Sequence, residues 1–457
     1  MYSIRDIIIL GIIGISLPIC FLRPTYGIVL WTVMAFVNPQ DLGWGLAQQS
    51  SPALLVAIPT LLGCLIFTSG WHRLFNREVI LVLLLWVWFT TTTLNSSHDP
   101  AFAEKSVAAW YHWTLVSKIL LMTVATVAIV NSWQRLRWLA LAIAGSFGFL
   151  VVKNLPIMIL TDGASRIYGP SYSMIADNND FGLALNMVLP FFFFLAKTET
   201  DRRVRWLFMF LFLATIPAIF FTYSRGALVG LIVVLGWMLL QTKYKAILVP
   251  VVLLVLLFGA FLTPQAWRDR MSTDNALDES ARSRLNVWQY SWALASDYPL
   301  MGGGFDAFTP SLFARYAPNP RDVHGPHSIY FGVLAEHGFT GLGIYLTLIV
   351  ACFIGLGQII RRARIRGDDL SISYAKMMRF SMAGFLASGA FLGRAYFDFL
   401  FSIVACVAVF RHLFWANLTA RASESANEEE ASVVQGEAAN VPRQLEESLS
   451  LRGMEGV

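Results

Sequence analysis

Charge is scarce in this chain. Only 14% of its 457 residues are Asp, Glu, Lys or Arg while 56% are hydrophobic, too few charges to coat a soluble globule of this size. Cysteine is nearly absent too: Cys20, Cys64, Cys352 and Cys406 all fall inside apolar runs. There they behave as small hydrophobes, and neither a disulfide framework nor a thiolate metal cluster is expected. The seven histidines show no HExxH and no paired spacing, and the polar stretches hold no DxD-like carboxylate pair. Gly302-Gly303-Gly304 is not followed by Lys-Ser/Thr, so no phosphate loop and no nucleotide coupling are implied. No metal and no cofactor are expected. Apolar runs are continuous rather than alternating, which excludes a closed barrel, and the first run meets Arg23 without a small-residue cleavage pattern.

What is present is apolar sequence in helix-length pieces. Mean hydropathy is +0.59, and runs recur at 7–22, 26–38, 52–69, 79–97, 113–131, 134–153, 180–196, 205–222, 226–241, 246–263, 328–357, 375–392 and 395–412. The expected fold is an all-α polytopic membrane protein of about 12 transmembrane helices with one large loop containing short helices. The first two runs, broken or bounded by Pro18, Pro24 and Pro39, leave the count open by one. The spacing divides the chain into N-terminal helices (1–160), a second helical group (161–263), the large loop (264–326), C-terminal helices (327–415) and a polar tail (416–457). From 421 onward the tail has eight Glu against three Arg and no periodicity, the composition of a disordered segment.

Five basic loops, Trp71–Arg77, Trp133–Arg137, Lys197–Arg205, Lys243–Lys245 and Arg361–Arg366, agree on one orientation in which all five are cytoplasmic. The opposite side then holds 98–112, 154–179, the Thr222–Arg225 junction, the 264–326 loop and the turn at Gly393. The tail is expected in the cytoplasm. Because topology accounts for most of the positive charge, nucleic-acid binding has no support.

Chemistry-bearing residues gather on the opposite side. Thr222-Tyr223-Ser224-Arg225-Gly226 joins two apolar runs almost without a loop, holding Arg225 at the interface. It is there either as a snorkelling cation or as a fixed fork for a phosphate group. Ala281-Arg282-Ser283-Arg284-Leu285 opens an amphipathic stretch. His327-Ser328 heads the segment HSIYFGVLAEHGFTG; on an ideal helix Phe331, Leu334, Gly338 and Gly341 lie within about 40° of His327, with Glu336 opposite. An imidazole of near-neutral pKa suits a general base. His327, at the head, is preferred over His337, about 15 Å deeper on a continuous helix. Glu336 is open between a hydrogen-bonded structural role and catalysis. His324 heads the same turn and is equally readable as a solvated loop residue. Asn178, Asn179 and Asp180 are expected to cap a helix, with sugar contacts the second reading. Arg394 and Asp398, four apart, are expected to pair, and Asp368-Asp369 to balance a basic loop.

Taken together, Ser-Arg-Gly at a helix end, Ser-Arg-Leu with Trp288, Asp297-Tyr298-Pro299-Leu300-Met301-Gly302 with Gly304, and His-Ser-x9-Gly-x-x-Gly resemble the O-antigen ligase and polymerase superfamily, in its order, over residues 224–341. Arg166 with Gly169, followed by Asp177-Asn178-Asn179-Asp180, resembles a further element of that family. RPTYGIVLWTVMAFVNPQDLGWG resembles the variant associated with exosortase-type systems. The resemblance implies a bacterial inner-membrane transferase that moves a glycan from undecaprenyl pyrophosphate to an acceptor at the periplasmic face; for ligases this is lipid A–core oligosaccharide. It places the base at His327 and pyrophosphate binding at Arg225 and Arg284; read from the residues, His337 and Glu336 are further catalytic candidates and Arg166, Ser224 and Asn179 further substrate-binding candidates. Implied partners are the lipid-linked donor, the acceptor and membrane lipids. Oligomeric state, the glycan, and the choice among lipid A–core, a growing polymer and protein as acceptor stay open. A transporter rests on helix count alone and needs an internal repeat and midplane charges; Lys118 and Lys153 are the candidate exceptions.

Overall fold

A computed structural model describes residues 4–43, 47, 50–98, 102, 106–161, 165–241, 274–420 and 423. The apolar run at 246–263, the beginning of the 264–326 loop and the tail from 424 lie outside the described residues. Internal contacts divide the chain at Phe410 into one unit, Met1–Phe410, and a second, Arg411–Val457. The site below lies wholly in the first.

The helices follow the apolar runs. In chain order they are α1 (Ile4–Leu22), α2 (Pro24–Val37), α3 (Pro52–Phe67), α4 (Arg77–His98), α5 (Ser106–Ile129), α6 (Trp133–Leu160), α7 (Asn178–Thr198), α8 (Arg202–Phe221), α9 (Arg225–Leu240), α10 (Asp274–Asp297), α11 (Pro310–Tyr316), α12 (Ile329–Ile365), α13 (Asp369–Gly389) and α14 (Asp398–Ala420). Among the described residues eight are long and apolar enough to cross a membrane, and α2, α3 and α9 are shorter apolar helices. The chain is thus a polytopic helical membrane protein. α13 has the length of a span but carries Lys376, Arg379 and four serines; the Arg379 guanidinium lies 5.2 Å from the centroid of Trp237 and 5.9 Å from that of Phe353, so aromatic faces shelter it.

Helix α7 is the hub, packed by α13, α8 and α9. Its buried Asn186 donates to the Ala227 carbonyl (2.7 Å) and to Ser388 Oγ (3.1 Å), and Ser381 Oγ donates to the Met187 carbonyl (2.5 Å). An amide in an apolar interior must be bonded, so these contacts fix α9 and α13 against one face of α7. The beginning of α9, where Ser224 and Arg225 sit, is thereby set.

Helix α12 is not the continuous helix of the wheel argument. Gly338 has φ +68° and ψ −173°, splitting it into two pieces. The break frees carbonyls of the preceding turn, and the Pro299–Gly304 loop fills them: Gly303 N donates to Ala335 O (2.8 Å), Gly304 N to Glu336 O (2.6 Å), and Phe339 N donates back to Pro299 O (2.9 Å). Buried backbone polar groups need such partners, which gives the break a cause. A Cβ on Gly302 would lie 2.5 Å from Gly338 N, and one on Gly338 2.5 Å from the Leu300 carbonyl oxygen. Only glycines allow the loop to dock this closely.

The loop before α12 has its own small core. Val287, Tyr290 and Leu294 of α10 pack with Phe102, Ala307, Leu312, Phe313 and Ala335. The Tyr290 ring stacks on Phe313 at 4.1 Å, and its hydroxyl donates to the Ala307 carbonyl. That burial holds α10, and with it Arg284, over the end of α12.

Candidate functional site

Four segments meet at one end of the bundle: 222–226, 284–288, 326–331 and 391–394. Ser224 caps α9, accepting from Ala227 N (3.2 Å), and so places Arg225 in its first turn. Tyr223, just before, is in the left-handed region at φ +56°. Asn178 Nδ2 donates to the Thr222 carbonyl (2.6 Å) and Ile167 N to that of Phe221 (3.0 Å), tying the junction to the head of α7 and to the segment holding Arg166. The Arg166 guanidinium carbon lies 6.0 Å from the Tyr223 ring centroid. Positions Cβ of Gly226 and Gly393 would occupy are 3.2 Å from Phe391 Cβ and 3.4 Å from His327 N, so the turn after α13 threads between the two motifs.

His327 itself is strained, with φ +41°. A left-handed histidine outside glycine's territory costs about 1–3 kcal/mol and persists only where its surroundings hold it. Here Pro326 precedes it, and Ser328 is buried at the helix cap. The imidazole keeps an exposed edge, yet desolvation by the atoms crowded around it, and next the Arg284 guanidinium, push its pKa below the usual histidine value; Asp177 works in the opposite sense. Arg284 is lowered in turn, by burial first and then by Arg225. Arg284 is thus the group coupled to both, to His327 on one side and to Arg225 on the other. Among the described residues neither Arg225 nor Arg284 has an ion-pair partner. Two more polar groups are buried close by with no hydrogen-bond partner among the described residues, Trp288 Nε1 and Ser328 Oγ. The Trp288 ring stacks on Phe331 at 5.0 Å and lies 6.5 Å from Phe391.

Residues 208–346 match the family model described as O-antigen ligase. The chain thus carries, over residues 208–346, a segment similar to the O-antigen ligase family. Its N-terminal part, residues 4–200, matches a family of unknown function. No curated protein is similar enough to stand as a relative. Of the candidate site residues, Arg225, Arg284, His327, Ser224 and Arg166 fall in this one region. Asn179 heads α7 nearby, half-buried, and gives its backbone N–H to Asp177 Oδ1 (2.8 Å); it is Asp177 that caps the helix.

His337 and Glu336 lie in a different cluster, against the helix break. His337 is fully buried, stacked on Phe89 at 4.1 Å and edge-on to Phe305 at 4.6 Å, with Nδ1 2.7 Å from Thr92 Oγ1. Glu336 accepts from Asp306 N (2.9 Å) and from the Tyr396 hydroxyl (2.5 Å). Burial and the neighbouring Glu336 charge hold that phenol far above its ordinary pKa. The histidine stripe expected along α12 is thus interrupted at Gly338, and Glu336 points into the protein.

The expected pairing of Arg394 with Asp398 is corrected. Arg394 Nε donates to Asp180 Oδ2 at 2.6 Å; residue 394 precedes α14, so the four-residue helical spacing does not apply. Asp368 does more than balance a basic loop: it caps α13, accepting from Ser371 N (2.9 Å) and Ser371 Oγ (2.6 Å). His324 pairs with Asp322 at 2.8 Å, on a turn pinned by Asn286, which accepts from Asn319 N and donates to the carbonyls of Asn319 and Asp322. Asp180, Arg394 and Asn286 were the residues missed as supports of the site. For Asp180 and Arg394 the available signal was a charged residue in or beside an apolar run; Asn286, an uncharged amide in the loop, had none.

Proposed function

We propose that this chain is an O-antigen ligase, transferring a glycan from undecaprenyl pyrophosphate to lipid A–core oligosaccharide at the periplasmic face of the bacterial inner membrane. The observation that carries the reading is the pair of arginines, Arg225 and Arg284, coupled to each other and without ion-pair partners among the described residues, with Arg284 acting also on His327. In the reaction an acceptor hydroxyl oxygen bonds to the anomeric carbon as the anomeric C–O bond to the pyrophosphate breaks. The lipid pyrophosphate departs with that electron pair, and the hydroxyl proton passes to the His327 imidazole. The leaving group needs charge neutralisation, which guanidinium forks supply. Arg225 adds the positive end of α9.

Arg284 has a second effect. A base must be unprotonated, and the depressed pKa of His327 keeps it so. When a pyrophosphate offsets the Arg284 charge, the imidazole becomes more basic as the hydroxyl arrives. Arg166 and Ser224 complete the binding side, Ser224 as cap and Arg166 over Tyr223. Glu336 and His337 hold the bend that aims the head of α12.

A second reading, an O-antigen polymerase or a ligase acting on protein, has one specific support. The N-terminal part matches a family of its own, so the acceptor side is not fixed by the ligase segment. Lipid-linked intermediates in a deletion strain distinguish them. A ligase deletion accumulates full-length glycan on the lipid carrier, and His327→Ala or Arg225→Ala supplied in trans leaves it there. Accumulation of single repeat units assigns a polymerase instead.

A further inference from the structure

A cavity of about 330 Å³ lies among α2, α3, α5, the 172–174 turn and the beginning of α14, and none of Arg225, Arg284 or His327 lines it. Its walls are apolar: Trp31, Met34, Leu61 and Met122 are among them. Leu54, Ile58 and Leu121 line it as well and are themselves 41%, 50% and 39% exposed. The cavity thus opens where lipid chains lie. Its polar groups are few and specific. Lys118 sits half-way along α5, a position at which a cation inside a membrane span calls for a partner, and among the described residues it has no ion pair. Asp398 is 8% exposed and its Oδ1 is buried without a hydrogen-bond partner; Gln40 Oε1 is in the same condition. Nearby charges are already engaged, Arg394 with Asp180 (2.6 Å) and Asp41 with Lys153 (3.8 Å).

We propose that this cavity binds a membrane phospholipid whose headgroup carries a phosphate followed by a primary ammonium. The phosphate answers Lys118, and the ammonium supplies N–H donors to Asp398 Oδ1 and Gln40 Oε1. One cation and one carboxylate make a neutral site, which fits a zwitterionic headgroup better than a net anionic one. The acyl chains leave past Leu54, Ile58 and Leu121. Bound there, the lipid ties the N-terminal helices to the head of α14.

The test is native mass spectrometry of the full chain, stripped of lipid in detergent and titrated with phosphoethanolamine, phosphocholine and phosphoglycerol lipids of equal chain length. One phosphoethanolamine lipid is retained about tenfold more tightly than its phosphocholine counterpart, because trimethylation removes the donors that a carboxylate needs. Asp398→Asn abolishes the discrimination, and Lys118→Met weakens retention of the phosphoethanolamine and phosphocholine lipids alike, by about tenfold. Lys118 is exposed, so its variant carries the test should Asp398→Asn fail to fold. Equal retention of the three lipids overturns the proposal, as does preference for phosphoglycerol or retention that Lys118→Met leaves unchanged.

Discussion

His327 combines a left-handed backbone, an exposed edge and a pKa lowered by crowding and by Arg284. The base role proposed for it has a signed consequence. Base activity is lost as pH falls through the histidine pKa, and Arg284 holds that pKa down. In Arg284→Ala the acid limb of kcat/KM therefore moves to higher pH, on top of a rate loss on the order of 10²–10³-fold for removing one charge-stabilising donor. An unshifted limb in the residual activity removes Arg284 from the field of the base. The same neighbourhood shows what one sequence leaves legible at this scale. Arg225 and His327 stood out as polar groups at the ends of apolar runs, and Arg284 through its Ser-Arg-Leu element in the loop between them. The Arg394–Asp180 bond joins residues 214 positions apart, and no local spacing announces it.

Helix α12 marks the limit of periodicity. Runs of apolar residues located α1 to α9 and α12 to α14 closely, since a membrane span must be apolar along its length. The same pattern is blind to a single backbone dihedral. Gly338 bends the helix because the Pro299–Gly304 loop offers better partners for Ala335 O and Glu336 O than the helix itself can, and a helical wheel assumes the opposite. Gly338→Ala is expected to lower thermal stability in detergent by about 1–3 kcal/mol, from the positive φ alone and more from the contact with Leu300. Gly343→Ala, five residues on in the same helix with no atom within 4 Å of an added Cβ, is expected to be neutral or slightly stabilising. Equal melting of the two variants contradicts a structural role for the break.

Across the whole molecule, α7 anchors α9 and α13, and the loop core anchors α10, so that segments far apart in the chain converge at one end. Charge in the short loops predicts a periplasmic position for that end, and cysteine labelling checks it. The four native cysteines are buried, so background is low. His324→Cys should react with a membrane-impermeant maleimide once the outer membrane is opened, and Arg362→Cys only after the inner membrane is breached. The reverse order inverts the topology and removes periplasmic glycan transfer. The most direct measurement of the central claim is transfer by the purified full chain from an undecaprenyl-pyrophosphate-linked glycan to lipid A–core, comparing wild type with His327→Ala. Transfer in the wild type and its loss in a variant that melts normally is the expected result; transfer at the wild-type rate by His327→Ala contradicts the account.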